Sequence, residues 1–202
     1  MTYLNQAAFD QETSYRSAIG EDLSSRGAFL DLQGNVLFRK QTGGIIDIRL
    51  RAIEPGETLF RFTGSDRDVL SAMTGAWWVP KEEFDRVVRF AQVNELTDSM
   101  AARILLGVPP EWQDMRRLVK VRTIAPLLAY GGLANTVIIP HPDGGPDVVM
   151  VHQNANAERR IRQLFIPGLR GDWHESLASR VFQFEGDWLF TRSEAVRGWL
   201  YV

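Results

Sequence analysis

Ile46-Asp47-Ile48-Arg49-Leu50-Arg51, then Pro55-Gly56, then Leu59-Phe60-Arg61-Phe62-Thr63 is the stretch that decides the fold class. Apolar and charged residues alternate through the first run, the period of a strand with one buried face. Pro-Gly signals a turn. The last run alternates again, with Phe60 and Phe62 on one face and Leu59, Arg61 and Thr63 on the other. Toward the N-terminus, Leu4, Ala8, Tyr15, Ile19 and Leu23 recur at roughly helical spacing and predict one helix over 4–25. Residues 28–33, Gly34-Asn35 and 36–39 predict strand, turn, strand.

Toward the C-terminus, Pro80 opens a helix whose apolar stripe is Phe84, Val87, Val88 and Ala91. Thr97 or Asp98 caps a second helix carrying Met100, Ala101, Ile104 and Leu105, and Pro109-Pro110 ends it. After Trp112 the expected strands are 118–124, 136–139, 147–151, 163–166, 181–184 and 188–190. A long loop is expected over 140–146 and a tight turn at Glu185-Gly186. Strands do not alternate regularly with helices. The expectation is an α+β fold with a mostly antiparallel sheet, an N-terminal helix and two helices after the Arg61 and Trp77 strands. With 202 residues the chain supports one core, so a single domain 1–202 is expected. Residues 1–57 form its helix-and-hairpin region and 58–202 its core.

Composition narrows the chemistry. There is no cysteine, which removes disulfides, thiol nucleophiles and cysteine metal sites. His141, His152 and His174 are scattered, with no second histidine at a ligand spacing, so no metal is expected. The nucleophile-elbow, zincin, P-loop and dinucleotide-fingerprint motifs are all missing. The formal charge of −2 argues against a globally basic nucleic-acid or membrane binder. Two basic clusters, Arg116-Arg117-Lys120-Arg122 and Arg159-Arg160-Arg162, read either as solvated faces or as a phosphate groove. No basic start followed by an apolar run opens the chain. The expected compartment is cytoplasmic, or export without a cleavable signal peptide.

Three features stand out. Arg61 lies within the apolar run Leu59-Phe60-Arg61-Phe62, and a buried arginine needs an anionic partner, from the protein or from a ligand. Trp77 and Trp78 are adjacent in a strand. They therefore face opposite ways, one into the core and the other toward a cleft as a stacking platform. Gln163 is a polar amide at the start of the apolar strand Gln163-Leu164-Phe165-Ile166.

This order resembles the ADP-ribosyltransferase superfamily of NAD-consuming enzymes over roughly 58–168. Members carry an arginine on an early strand, as Arg61 here. An aromatic-bearing strand followed by a helix comes next, as Trp77-Trp78 here, and then a late Glu or Gln on an apolar strand, as Gln163 here. The resemblance implies NAD as substrate, cleavage of the nicotinamide–ribose bond, and transfer of ADP-ribose to an acceptor or to water. It implies catalytic roles for Gln163 and Arg61, and NAD contacts from Arg61, Thr63, Trp77, Trp78, Arg103 and Tyr130. Tyr130-Gly131-Gly132 is expected to place its aromatic at a backbone turn. The chain lacks the family's Ser-Thr-Ser and any Glu-x-Glu or Gln-x-Glu near Gln163. A lone Gln occurs in toxin-like members that chiefly hydrolyse NAD. NAD glycohydrolase activity is therefore as well supported as transfer to a protein or nucleic-acid acceptor.

The alternative is a non-enzymatic interaction or assembly module, phage- or secretion-associated, using exposed aromatics among Trp112, Trp173, Trp188 and Trp199. A third reading is a nucleic-acid enzyme that uses both basic clusters on one face.

Overall fold

The structure, a computed structural model, describes residues 2–139, 148–149 and 160–190. Its centre is a seven-stranded sheet in the order β11-β6-β4-β5-β10-β7-β3. The strands are β3 (Ile45–Ile53), β4 (Thr58–Thr63), β5 (Trp77–Pro80), β6 (Arg117–Thr123), β7 (Leu127–Ala134), β10 (Arg162–Phe165) and β11 (Phe182–Leu189). Every neighbouring pair in this sheet is antiparallel. Two small hairpins flank it, β1 (Ala28–Leu30) with β2 (Val36–Arg39) and β8 (Ile138–Ile139) with β9 (Val148–Val149). The fold is α+β and mostly antiparallel.

The alternation in β4 sorts its side chains into two cores. Leu59 joins Ile53, Trp78, Val121, Leu127 and Leu164 on one side. Phe60 and Phe62 join Val79, Val87, Ala91 and Leu105 on the other. Helices α4 (Lys81–Val93) and α5 (Asp98–Leu106) cover the second core. Phe60 stacks on Phe84 of α4 with ring centroids 3.9 Å apart, which adds roughly 0.5–1.5 kcal/mol to the burial itself. Short helices α3 (Val69–Met73) and α6 (Ala178–Val181) close the first core through Ala72, Met73, Ala178 and Val181. The capping signals are used as the sequence implies. Pro80 caps α4, Glu82 and Glu83 occupy its first turn, and the Thr97 hydroxyl accepts from the Met100 N–H at 3.2 Å.

Three local expectations differ from the structure. The N-terminal helix is two, α1 (Gln6–Phe9) and α2 (Glu12–Ala18), because Gln11 is extended. The Asn5 side-chain amide donates to Leu128 O (2.8 Å) and accepts from the Leu128 N–H (2.9 Å), tying the chain start to β7. Tyr130-Gly131-Gly132 is not a turn but the middle of β7, paired with both β3 and β10. A Cβ on Gly132 would meet the Ile46 carbonyl at the irregularity in β3, so the glycine allows close strand approach. Glu185-Gly186 is not a turn either. The segments 181–184 and 188–190 belong largely to one strand, β11, with a bulge at Glu185. The extra residue turns its carboxylate onto Lys120 (2.9 Å) and Arg122 (2.5 Å), which clamps β11 to β6. Helix α3 has no periodic signal in its five residues. The loop expected over 140–146 lies outside the described residues.

Candidate functional site

The sheet divides around β5. That strand pairs with β4 only through Leu59↔Pro80 and Phe60↔Val79. It pairs with β10 only through Leu164↔Trp78 and Phe165↔Trp77. From Arg61 onward β4 is held by β6 alone, and Gln163 is held by β7 alone. Strand separation leaves space that side chains and backbone must fill. The space is a cleft of about 600 Å³, lined by Arg61, Trp77, Trp78 and Gln163, by the end of α5 at Leu106-Gly107, and by 20–23. This volume suits a nucleotide-sized ligand.

Arg61 is half-buried and its guanidinium crosses the gap to donate from Nη1 to Trp77 O at 2.7 Å. The guanidinium lies on Gly75, where any Cβ would overlap it. Its Nε is buried and has no hydrogen-bond partner among the described residues. None of the ion pairs among the described residues reaches it. Burial, followed by the nearby charges of Arg67 and Arg170, brings its pKa down to about 10, so it remains a cation at neutral pH. The anionic partner expected from the sequence is not a protein carboxylate among the described residues.

The two tryptophans face opposite ways. Trp78 is 1% exposed, packs on Phe182 with centroids 4.8 Å apart, and donates from Nε1 to Gly75 O at 2.7 Å. It is a core residue that reaches only the floor of the cleft. Trp77 is half-buried, sits edge-on to Phe165 at 5.0 Å, and is the tryptophan with a face available for stacking.

Gln163 is buried, and its Nε2 donates to Leu106 O at 3.1 Å. A carbonyl only accepts, so the amide orientation is set by chemistry. Oε1 makes no hydrogen bond among the described residues and remains as an acceptor.

Thr63, Arg103 and Tyr130 do not line the cleft. Thr63 is fully buried, with its hydroxyl 3.4 Å from Gln113 Oε1. Arg103 is 2% exposed and donates to Val108 O (3.0 Å) and Gln113 O (2.9 Å), so it shapes the loop that follows α5. Tyr130 stacks on Phe9 at 4.3 Å and donates its hydroxyl to Phe9 O at 2.8 Å. The structure places these three in packing and bracing positions outside the cleft.

Nothing in the sequence pattern singles out Arg170, which lines the cleft with Arg61, or Arg67, which lines a second cavity with both. Arg67 is flanked by Asp66 and Asp68, which looks neutral in one dimension. In the structure the Asp68 carboxylate instead accepts from the Ser71 N–H at 2.9 Å and caps α3. Glu21 and Asp22 are the carboxylates that line the cleft among the described residues, and Glu21 is paired with Arg16 at 2.6 Å.

The first basic cluster is engaged within the protein. Arg117 pairs with Asp187, Lys120 and Arg122 pair with Glu185, and Arg116 donates to Phe190 O at 2.8 Å. Arg159 of the second cluster, His141, His152 and Trp199 lie outside the described residues. Among those described, no group of three or more His, Asp or Glu is placed to hold a metal, and no helix is long and apolar enough to cross a membrane.

No protein-family model matches the chain, and no curated protein does. A solved structure described as "Rhs1-CT in complex with cognate immunity protein RhsI1" is similar at TM-score 0.40 and 11% identity, over 75% of this chain and 83% of that chain. A likeness at this level assigns neither fold family nor function.

Proposed function

We propose that the cleft binds NAD and that the protein cleaves the nicotinamide–ribose bond, as an NAD glycohydrolase or an ADP-ribosyltransferase on an ADP-ribosyltransferase-like fold. The observation that carries the reading is the meeting of Arg61, Trp77 and Gln163 on three neighbouring strands, β4, β5 and β10, around one cleft. These are the three positions on which the family resemblance rests.

The chemistry asks little covalent work of the protein. Bond cleavage passes through an oxocarbenium-like ribose, nicotinamide leaves as a neutral ring, and water or an acceptor adds to the anomeric carbon. Water addition yields ADP-ribose and a proton. Arg61 neutralises pyrophosphate charge. Trp77 stacks the departing ring. Gln163 Oε1 accepts from a ribose hydroxyl and so orients the sugar, with less stabilisation of positive charge than a carboxylate would give. The acceptor, if not water, is a protein or nucleic acid.

The test is nicotinamide release from NAD, alone and with a cell lysate as acceptor source. Wild type is expected to release nicotinamide, with Arg61→Ala and Gln163→Ala losing that activity. No release by wild type under either condition would end the proposal.

A second reading is favoured by one observation. The β1–β2 hairpin exposes Phe29, Leu30, Val36, Leu37 and Phe38 at 47–65%, and Leu32 fully at its tip. Trp112 and Trp188 are also about half exposed. An apolar surface of this kind supports a protein-interaction module. A protein that releases no nicotinamide but loses a binding partner on Leu32→Ser and Leu37→Ser would fit that reading instead.

A further inference from the structure

A second cavity of about 320 Å³ shares Arg61, Trp77 and Arg170 with the cleft and adds Arg67, Ser71 and Thr74. Among the described residues, the charged groups that line it are the three arginines. Arg67 and Arg170 have no side-chain hydrogen bond or ion pair among the described residues, and Arg61 has only the Trp77 carbonyl. The Ser71 hydroxyl likewise makes no bond there. The buried Nε of Arg61 completes a set of donors that lacks an acceptor among the described residues.

The geometry points to this cavity as a binding site for a phosphate-class oxyanion, distinct from the nucleotide cleft but sharing the Arg61 wall with it. Three guanidiniums brought close without counter-ions among the described residues repel one another, and Arg61 is held there by its hydrogen bond to the Trp77 carbonyl and its seat on Gly75. A tetrahedral dianion answers each of them. Its several oxygens accept from planar forks at different angles, which a single carboxylate does not do. The cavity exceeds the volume of a bare phosphate, so a phosphate monoester with its attached carbon also fits. The same chemistry has two sources, free phosphate or an extra phosphate carried by a nucleotide seated in the cleft.

The experiment is a titration of the wild-type chain with inorganic phosphate, read as thermal unfolding and by calorimetry, with chloride at matched ionic strength as control. Phosphate is expected to raise the melting temperature saturably where chloride does not. Arg67→Ser with Arg170→Ser is expected to weaken that response at least tenfold. Both side chains are exposed, so the variant keeps the fold. A parallel arm compares NAD with its 2′-phosphorylated form. At least tenfold tighter binding of the latter in wild type alone assigns the site to a nucleotide-borne phosphate. Equal binding of the two, with a phosphate response, assigns it to free phosphate. Identical phosphate and chloride curves together with equal binding of the two dinucleotides would overturn the proposal, as would an unchanged response in the variant. Phosphate binding is measured without turnover. Nicotinamide release with neither a phosphate response nor tighter binding of the 2′-phosphorylated dinucleotide would therefore sink this site alone, and a phosphate response without nicotinamide release would sink the NAD reading alone.

Discussion

Arg117, Lys120 and Arg122 on β6 and the trio Arg61, Arg67 and Arg170 are both runs of cations, and the fold treats them in opposite ways. The β6 residues face β11, where Asp187 pairs with Arg117 and Glu185, at the bulge, is shared by Lys120 and Arg122. The trio lies where β4 parts from β5, and no ion pair among the described residues reaches it. The first group stabilises strand pairing, and each of its cations is engaged by a carboxylate of β11. The second is held together against its own repulsion, with one member half-buried on a glycine. Cations left without counter-ions beside a cleft are placed for a ligand, whereas paired cations on a surface explain themselves.

The sharpest break between the two regions comes from Arg61. Arg61→Met should reduce nicotinamide release by about 100-fold or more, the scale of losing a charged contact in the transition state. Its stability should rise by roughly 1 kcal/mol, because an uncompensated cation is removed from a partly apolar site. A steady-state assay and a urea melt read the two effects separately. Gln163→Ala should cost about tenfold to 100-fold in release, since it removes the oriented acceptor but no charge. Gly75→Ala is subtler. Its Cβ displaces the guanidinium, the mobile end of a side chain, so folding is little affected while phosphate affinity falls about tenfold in a calorimetric titration.

On β6 the smallest effect is expected. Glu185→Gln should cost about 1 kcal/mol or less and leave nicotinamide release unchanged. Hydrogen bonding from Lys120, then from Arg122, holds the Glu185 carboxyl below its ordinary value. A depressed carboxyl contributes stability above the ordinary carboxylate range and loses it as pH falls through its folded value. Wild type should therefore lose stability between about pH 5 and the depressed value, and Glu185→Gln should show a flatter acid limb in denaturant melts at successive pH.

The sequence made part of this contrast legible. Arg61 interrupts an apolar strand, Gln163 opens one and Trp77-Trp78 is an adjacent aromatic pair, and each of these is visible in one dimension. So were the alternation of β3 and β4, the Pro80 entry to α4 and the Thr97 cap. The remainder depended on what lies across the sheet. Asp66 and Asp68 hid Arg67 by making its neighbourhood look neutral, when Asp68 was committed to capping α3. Gly131-Gly132 looked like a break because glycine usually marks one, yet here it admits the Ile46 carbonyl between close strands. Glu185-Gly186 looked like a turn because its use as a bulge depends on Lys120 and Arg122 in another strand. Arg103 and Tyr130 were candidates by residue type, and only their burial and partners revealed a bracing role.

The central claim is that an unneutralised Arg61 holds NAD for scission, and one paired measurement addresses it. Nicotinamide release and melting temperature are recorded for wild type and Arg61→Met in the same buffer. Release by wild type, its loss in the variant, and a variant that melts no lower are the expected result. A wild type that releases nothing, or a variant as active as wild type, would contradict the account.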